Sequence, residues 1–253
     1  MVFEIKVLER KANTLNILIK GASTELMNAL RRAILTEVPT LAIEEVTFFD
    51  NNSVVFDEML AHRLALLPIK TSLKTLKKGE SVKLWIEKEG PGTAYSKDIK
   101  SSDPDIEIIG KKIPLTKLAK GQKIKAEMLA VLNSGKEHAK WQPAIVGYRQ
   151  VNKITINGEC DLCEACIKEC PKNILEAKGK KIVLTDALEC DACNACRNNC
   201  EKGLISIVPE EGSFVLFLET HGQLENEEIL YSAIEALSKK TTEFKKEISS
   251  LKE

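Results

Sequence analysis

Eight cysteines, all between Cys160 and Cys200, constrain this chain more than any other feature. They fall into two runs of one form, Cys160-x2-Cys163-x2-Cys166-x3-Cys170 and Cys190-x2-Cys193-x2-Cys196-x3-Cys200, so the segment is an internal repeat. Three thiolates spaced two residues apart can fold around three corners of an iron–sulfur cube, while the cysteine beyond the longer gap points away, toward a second cube. The spacing therefore predicts that the runs exchange their fourth ligands. One [4Fe–4S] cluster takes Cys160, Cys163, Cys166 and Cys200, and the other takes Cys170, Cys190, Cys193 and Cys196. Whether each site holds four irons, or one loses a corner to become [3Fe–4S], is left open by spacing.

Two other uses of cysteine compete. Tetrahedral zinc also uses Cys-x2-Cys pairs, but it needs only four thiolates per ion and has no use for a third cysteine two residues on. Disulfide geometry could not pair the tight triplets neatly, and cysteine density of this kind in an intracellular chain points to metal chemistry. Strand candidates at 153–156, Lys181–Leu184 and 204–208 flank the runs, with a turn at the Lys178-Gly179-Lys180-Lys181 segment. Each half thereby resembles the strand, cluster-loop and helix unit of bacterial ferredoxins over roughly residues 155–208. One departure is Glu201, which stands where the usual motif has a proline after its last cysteine.

Outside this region the chain is more ordinary. Lysine plus arginine and aspartate plus glutamate both total 37, a zero net charge that argues against nucleic-acid binding by bulk charge. The first twenty residues alternate apolar and charged side chains and do not read as a secretion signal, and no run is apolar enough to span a bilayer, so a cytoplasmic location is expected. His62, His138 and His221 are scattered with no nucleophile or carboxylate in a catalytic pattern, and read as structural. Neither a dinucleotide nor a nucleoside-triphosphate loop is found. No catalytic residue is expected.

Periodicity gives an α+β chain. Phe3, Ile5 and Val7, then Leu15, Ile17 and Ile19, predict a hairpin, and Leu26, Leu30, Ala33 and Ile34 recur at helical spacing until Pro39, with Arg31 and Arg32 opposite. The Asp50-Asn51-Asn52 turn between Ile43–Phe49 side chains and Val54, Val55 and Phe56 predicts a second hairpin. A short helix then ends at Pro68. Residues from about 70 to 150 read as an inserted β-rich lobe, with strands at 82–86 and 123–132. After a strand over 213–220, Gly222 breaks the chain and a terminal helix carries Leu230, Ala233, Leu237, Phe244, Ile248 and Leu251 on one stripe. That stripe either packs on its own domain or meets another chain.

The helix with its Asn28-Ala29-Leu30-Arg31-Arg32 core, the following Val38-Pro39, and the His62-Arg63-Leu64 helix ending in Leu67-Pro68 resemble the assembly signature of the RNA polymerase α-like subunits. His138-Ala139-Lys140-Trp141-Gln142-Pro143-Ala144 resembles the inserted domain of the archaeal and eukaryotic members, and an intervening ferredoxin-like domain is characteristic of the archaeal branch. The resemblance implies a split dimerisation domain (1–45 and 210–253), an inserted β-rich lobe (46–154) and a ferredoxin-like two-cluster domain (155–209). It also implies a non-catalytic assembly role in transcription. Subunit L is the expected heterodimer partner, and the large catalytic and other small subunits of that nucleotidyltransferase complex are further partners. Leu26, Leu30, Arg31, Arg32, Leu230, Leu237, Phe244 and Ile248 become interface candidates on that basis. The rival readings are a ferredoxin-type electron carrier and a scaffold whose clusters sense redox state.

Overall fold

The computed structural model describes residues 3–73, 76 and 79–251. In chain order the elements are β1 (Glu4–Arg10), β2 (Thr14–Lys20), α1 (Thr24–Thr36), β3 (Pro39–Asn51), α2 (Asp57–Ala65), β4 (Ser81–Glu89), β5 (Gly92–Tyr95), β6 (Ile99–Ser101), β7 (Pro114–Leu118) and β8 (Lys123–Ser134). They continue with β9 (Ala144–Ile156), α3 (Ala165–Lys168), β10 (Leu175–Lys178), β11 (Lys181–Leu184), α4 (Ala195–Asn198), β12 (Ile205–Thr220) and α5 (Asn226–Ser250). The mixed, sheet-rich content agrees with the α+β expectation. The chain divides into two compact units, one of Met1–Arg10, Asn16–Met27 and Gly147–Phe217, the other of Lys11–Leu15, Asn28–Val146 and Leu218–Glu253.

In the larger unit, strict alternation along β4 and β8 buries one face of a sheet ordered β3-β8-β4-β6. Val82, Leu84 and Ile86 from β4 meet Ile124, Ala126, Met128, Ala130 and Leu132 from β8, and Leu84 lies directly opposite Met128 in the antiparallel register. Leu60 and Leu64, four residues apart on α2, close over this face. The expected second hairpin does not form. The β3 edge is taken by β8, with Asn51 opposite Ile124, and residues 54–56 are not a strand. Asn51 instead folds the next segment back on itself: its Nδ2 donates to the Val55 carbonyl at 2.9 Å and to Asp57 Oδ1 at 2.7 Å.

A second core in the same unit joins α1 to α5. Ala33, Ile34 and Val38 pack with Leu218, Leu224, Ile229 and Ala233, and Lys240 on α5 reaches Glu37 at 2.6 Å. The bond from Lys240 holds the Glu37 carboxyl below its usual range. Helix α5 starts with a reciprocal cap between Glu225 and Glu228, which satisfies backbone N–H groups that a helix start leaves open. Its inner stripe is spent early: Leu230 and Leu237 pack onto this core, whereas everything from Ser238 to Leu251 is exposed.

The smaller unit is organised around a sheet ordered β1-β2-β12-β9. Leu18, Val151 and Val215 form a small core there, with Leu8 and Leu188 packed against it. Strand β12 is one sixteen-residue strand where the sequence predicted two, because Pro209 and Gly212 are both carried inside it. The β10–β11 hairpin turns at Gly179, whose φ of +64° suits a residue without a side chain.

Candidate metal centre

The two cysteine loops are built on one backbone plan, thirty residues out of step. In each, the first two cysteines precede a single helical turn, α3 or α4, the third lies within it and the fourth follows it. In each, two non-glycine residues adopt the left-handed conformation: Leu162 and Glu164 in the first, Ala192 and Asn194 in the second. Such a conformation costs a residue with a Cβ about 1–2 kcal/mol, least for asparagine, and it persists only where the surroundings over-determine it. Left-handed residues among right-handed ones turn successive N–H groups toward one concave side, an arrangement that surrounds many iron–sulfur sites. No local sequence signal marks Leu162, Glu164 or Ala192 for this role; only the repeat could have suggested that one loop copies the other.

The structure brings the eight cysteines together in two sets. Cys160, Cys163, Cys166 and Cys200 line one cavity of about 140 Å³. Cys170, Cys190, Cys193 and Cys196 line another of about 20 Å³. Each set draws three members from one run and its fourth from the other, and an ion pair lies beside each crossing: Lys202 with Asp161 at 3.2 Å in the first, Lys172 with Asp191 at 3.7 Å in the second. The bond from Lys202 holds the Asp161 carboxyl below its usual range.

The electrostatics of the two sets are alike. Burial pushes the Cys166 thiol up, and the neighbouring Cys160, Cys163 and Cys200 push it further. Burial likewise raises Cys196, with Cys170, Cys190 and Cys193 adding to it. Four thiolates cannot share so small a volume without positive charge among them, which is what a metal centre supplies. Among the described residues, no group of three or more His, Cys, Asp or Glu side chains converges as the ligands of one metal ion would. A four-iron cube spreads its thiolates wider than a single ion does, and a donor set of four thiols around a cavity suits the cube in its chemistry. Bound there, such a group would supply one-electron chemistry and would tie the ends of the repeat together.

Buried aliphatic residues complete the setting. Ile174, Leu175, Ile182 and Ile205 pack with Cys166, Cys170, Cys190 and Cys196, and Ile154, Ile156 and Ile207 from the strand ends lie against them. Asn152 on β9 donates through Nδ2 to the Cys190 carbonyl at 3.1 Å, and Arg149, three residues before it on the same strand, donates to the Leu188 carbonyl. Neither residue was singled out in the sequence, because a polar residue in a half-buried strand carries no signal of its partner.

The other sequence candidates lie outside the cysteine loops. Trp141 is buried and donates through Nε1 to the Val131 carbonyl at 3.0 Å, while the Lys140 ammonium sits 4.4 Å from the Trp141 ring centre and bonds the Ile43 carbonyl at 3.0 Å. The tryptophan motif is thus structural, as are its neighbours: His138 Nδ1 accepts from the Lys140 N–H at 3.1 Å. On α1, Leu26 is exposed, Leu30 packs against the helix core, Arg31 bonds Asn28 at 3.0 Å and Arg32 faces solvent. On the terminal helix Phe244, Ile248 and Leu251 are exposed, and the structure adds Tyr231 and Ile234 to the exposed apolar set. No helix among the described residues is long and apolar enough to cross a membrane.

Comparison with known proteins identifies the class from the part that holds no cysteine. Residues 46–154 match a family model described as the RNA polymerase Rpb3/RpoA insert domain. The particular family follows from the whole length. The chain is 38% identical to DNA-directed RNA polymerase subunit Rpo3 of Thermococcus kodakarensis, covering 98% of each. It is 39% identical to the Archaeoglobus fulgidus Rpo3 over 99% of this chain and 100% of that one, and 37% identical to that of Pyrococcus horikoshii over 98% of each. The chain belongs to the archaeal Rpo3 family of DNA-directed RNA polymerase subunits.

Proposed function

We propose that this chain is the α-like assembly subunit of an archaeal RNA polymerase, the role that the sequence resemblance implies. In this role it pairs with subunit L to make the platform for the large catalytic subunits, in the cytoplasm and without catalytic residues of its own. The observation that carries the role is similarity to Rpo3 proteins along nearly the entire chain. The exposed half of α5 supports the partner: Phe244, Ile248 and Leu251 lie in water at the end of a helix whose first half is already packed, and an uncovered apolar stripe on a long helix is a surface for a second chain. The electron-carrier alternative draws no support from relatives named as polymerase subunits.

The eight cysteines hold two iron–sulfur clusters in the sets predicted from spacing, and the clusters support the fold of the segment that carries them. The support for this is the pair of cavities, each with four thiols around it, joined to the raised Cys166 and Cys196 thiols. Anaerobic co-production with subunit L, with iron and sulfide counted on the purified pair, tests both parts. A stoichiometric pair carrying about eight irons supports the reading. A chain that holds iron but takes no L, or pairs with L and holds zinc, removes one half of it and leaves the other.

A further inference from the structure

Strand β9 runs straight into the first cysteine run, but its middle passes beside the second run and grips it at two points. Arg149 Nη2 donates to the Leu188 carbonyl, and Asn152 Nδ2 donates to the Cys190 carbonyl at 3.1 Å. All four residues belong to the smaller unit. A trans peptide sends its C=O and the following N–H to opposite sides, so holding these two carbonyls against β9 turns the Glu189 and Asp191 N–H groups away from it. Asp191 lines the second cavity, and the Ala192 N–H just beyond it donates to Cys190 Sγ at 3.4 Å. The first run carries no such grip. Among the described residues, no side chain donates to the carbonyl of Gly158 or Cys160, which hold the matching positions thirty residues earlier.

Arg149 brings a charge as well as a donor. Its Nη1 is buried and meets no hydrogen-bond partner among the described residues, a state that costs free energy unless something answers it. The lysine of the second cavity does not take this role, because Lys172 is turned to Asp191 at 3.7 Å. Four thiolates around an iron–sulfur core leave net negative charge, and each electron added deepens it. We infer that Arg149 is the positioning residue and counter-charge of the second quartet: it grips the peptide ahead of Cys190 and raises the potential at which that cluster, and not the first, takes up an electron. The inference rests on the cluster reading of the preceding subsection. A fixed cation in a half-buried setting favours the more negative state of its neighbour, and net charge and hydrogen bonding set the potential of a cluster. Asn152 shares the grip but carries no charge.

The test is a redox titration of the anaerobically purified full chain, with each reduced cluster read by electron paramagnetic resonance. Wild type should show two waves, and a Cys193→Ala chain, in which only the first quartet is complete, identifies the wave of the first cluster. Arg149→Met should move the second wave to lower potential and leave the first in place. Arg149→Lys, which keeps the charge, should bring the second wave most of the way back. Two unmoved waves, a shift of both waves together, or a lysine chain that shifts as far as the methionine chain overturns the inference. Should Arg149→Met lose iron from the second quartet, Arg149→Lys decides alone: both waves at their wild-type potentials support the inference, and a second wave that falls or vanishes overturns it. A wild-type chain purified anaerobically without iron or sulfide would remove the cluster reading itself, a different failure.

Discussion

The insert region and the cysteine region solve the same problem with different materials. Nineteen buried residues from β3 to β8 form the first core, every one aliphatic or methionine. The cysteine region buries eight, and four of those are cysteines. At roughly 1.5–3 kcal/mol for each fully buried large apolar side chain, the first core has ample drive of its own. The second has few such side chains and sets against them several left-handed residues and two thiols pushed up by burial. On the proposed cluster reading such a region would be held by what its cysteines bind, because metal binding free energy is folding free energy where no site exists in the unfolded chain. The contrast teaches that the two regions answer to different perturbations.

The largest break should come from the ligands. Replacing Cys166 and Cys196 together with serine should cost the cysteine region its iron and its resistance to proteolysis, with cleavage appearing between residues 157 and 204 while β3, β4 and β8 stay protected. Simultaneous cleavage in both regions would mean that they fold as one. The converse perturbation is Leu84→Ala, a truncation at a buried site opposite Met128. It should cost about 2–5 kcal/mol in denaturant unfolding of the insert region, with the iron content unchanged.

Smaller effects sharpen the picture at α5. Phe244→Ala with Ile248→Ala should leave the stability of the isolated chain within about 0.5 kcal/mol, since both residues face water, yet weaken capture of subunit L in a pulldown. A loss of thermal stability without loss of capture would show the stripe packing on its own chain. The smallest change is expected from Glu37→Gln at the Lys240 ion pair. Because solvent screens the pair, its worth is about 0.2–1 kcal/mol. The folded carboxyl titrates below its unfolded value, so this contribution is present above the ordinary carboxylate range and fades as pH falls through the folded value. Urea unfolding of wild type and variant should therefore differ at neutral pH and converge in acid.

What the sequence made legible was local. Alternation marked β4 and β8, the helical stripe marked α1 and the start of α5, and β11 was marked after the turn at Gly179, whereas β10 before that turn was not. It misjudged what depends on distant partners. Val54, Val55 and Phe56 look like a strand, but β3 pairs with β8, more than seventy residues away, and Asn51 spends its amide on the loop. Pro209 and Gly212 look like breaks, yet β12 runs through both. At the candidate site, spacing grouped the eight cysteines into two sets of four, and the same groups line the two cavities, while their role as cluster ligands is proposed. The inequality of the two sets was not legible, because it lies in burial and in the side chains that hold the Leu188 and Cys190 carbonyls, which no spacing rule describes.

The most direct measurement of the central claim is hydrogen exchange on the anaerobically purified chain before and after iron is removed with a chelator, followed by addition of subunit L. The account predicts that amides of residues 157–204 lose protection on chelation, that β3, β4 and β8 keep theirs, and that L is still captured. Unchanged protection at 157–204, or an insert region that opens with it, would contradict the claim that the clusters hold one region of an assembly subunit whose other region stands alone.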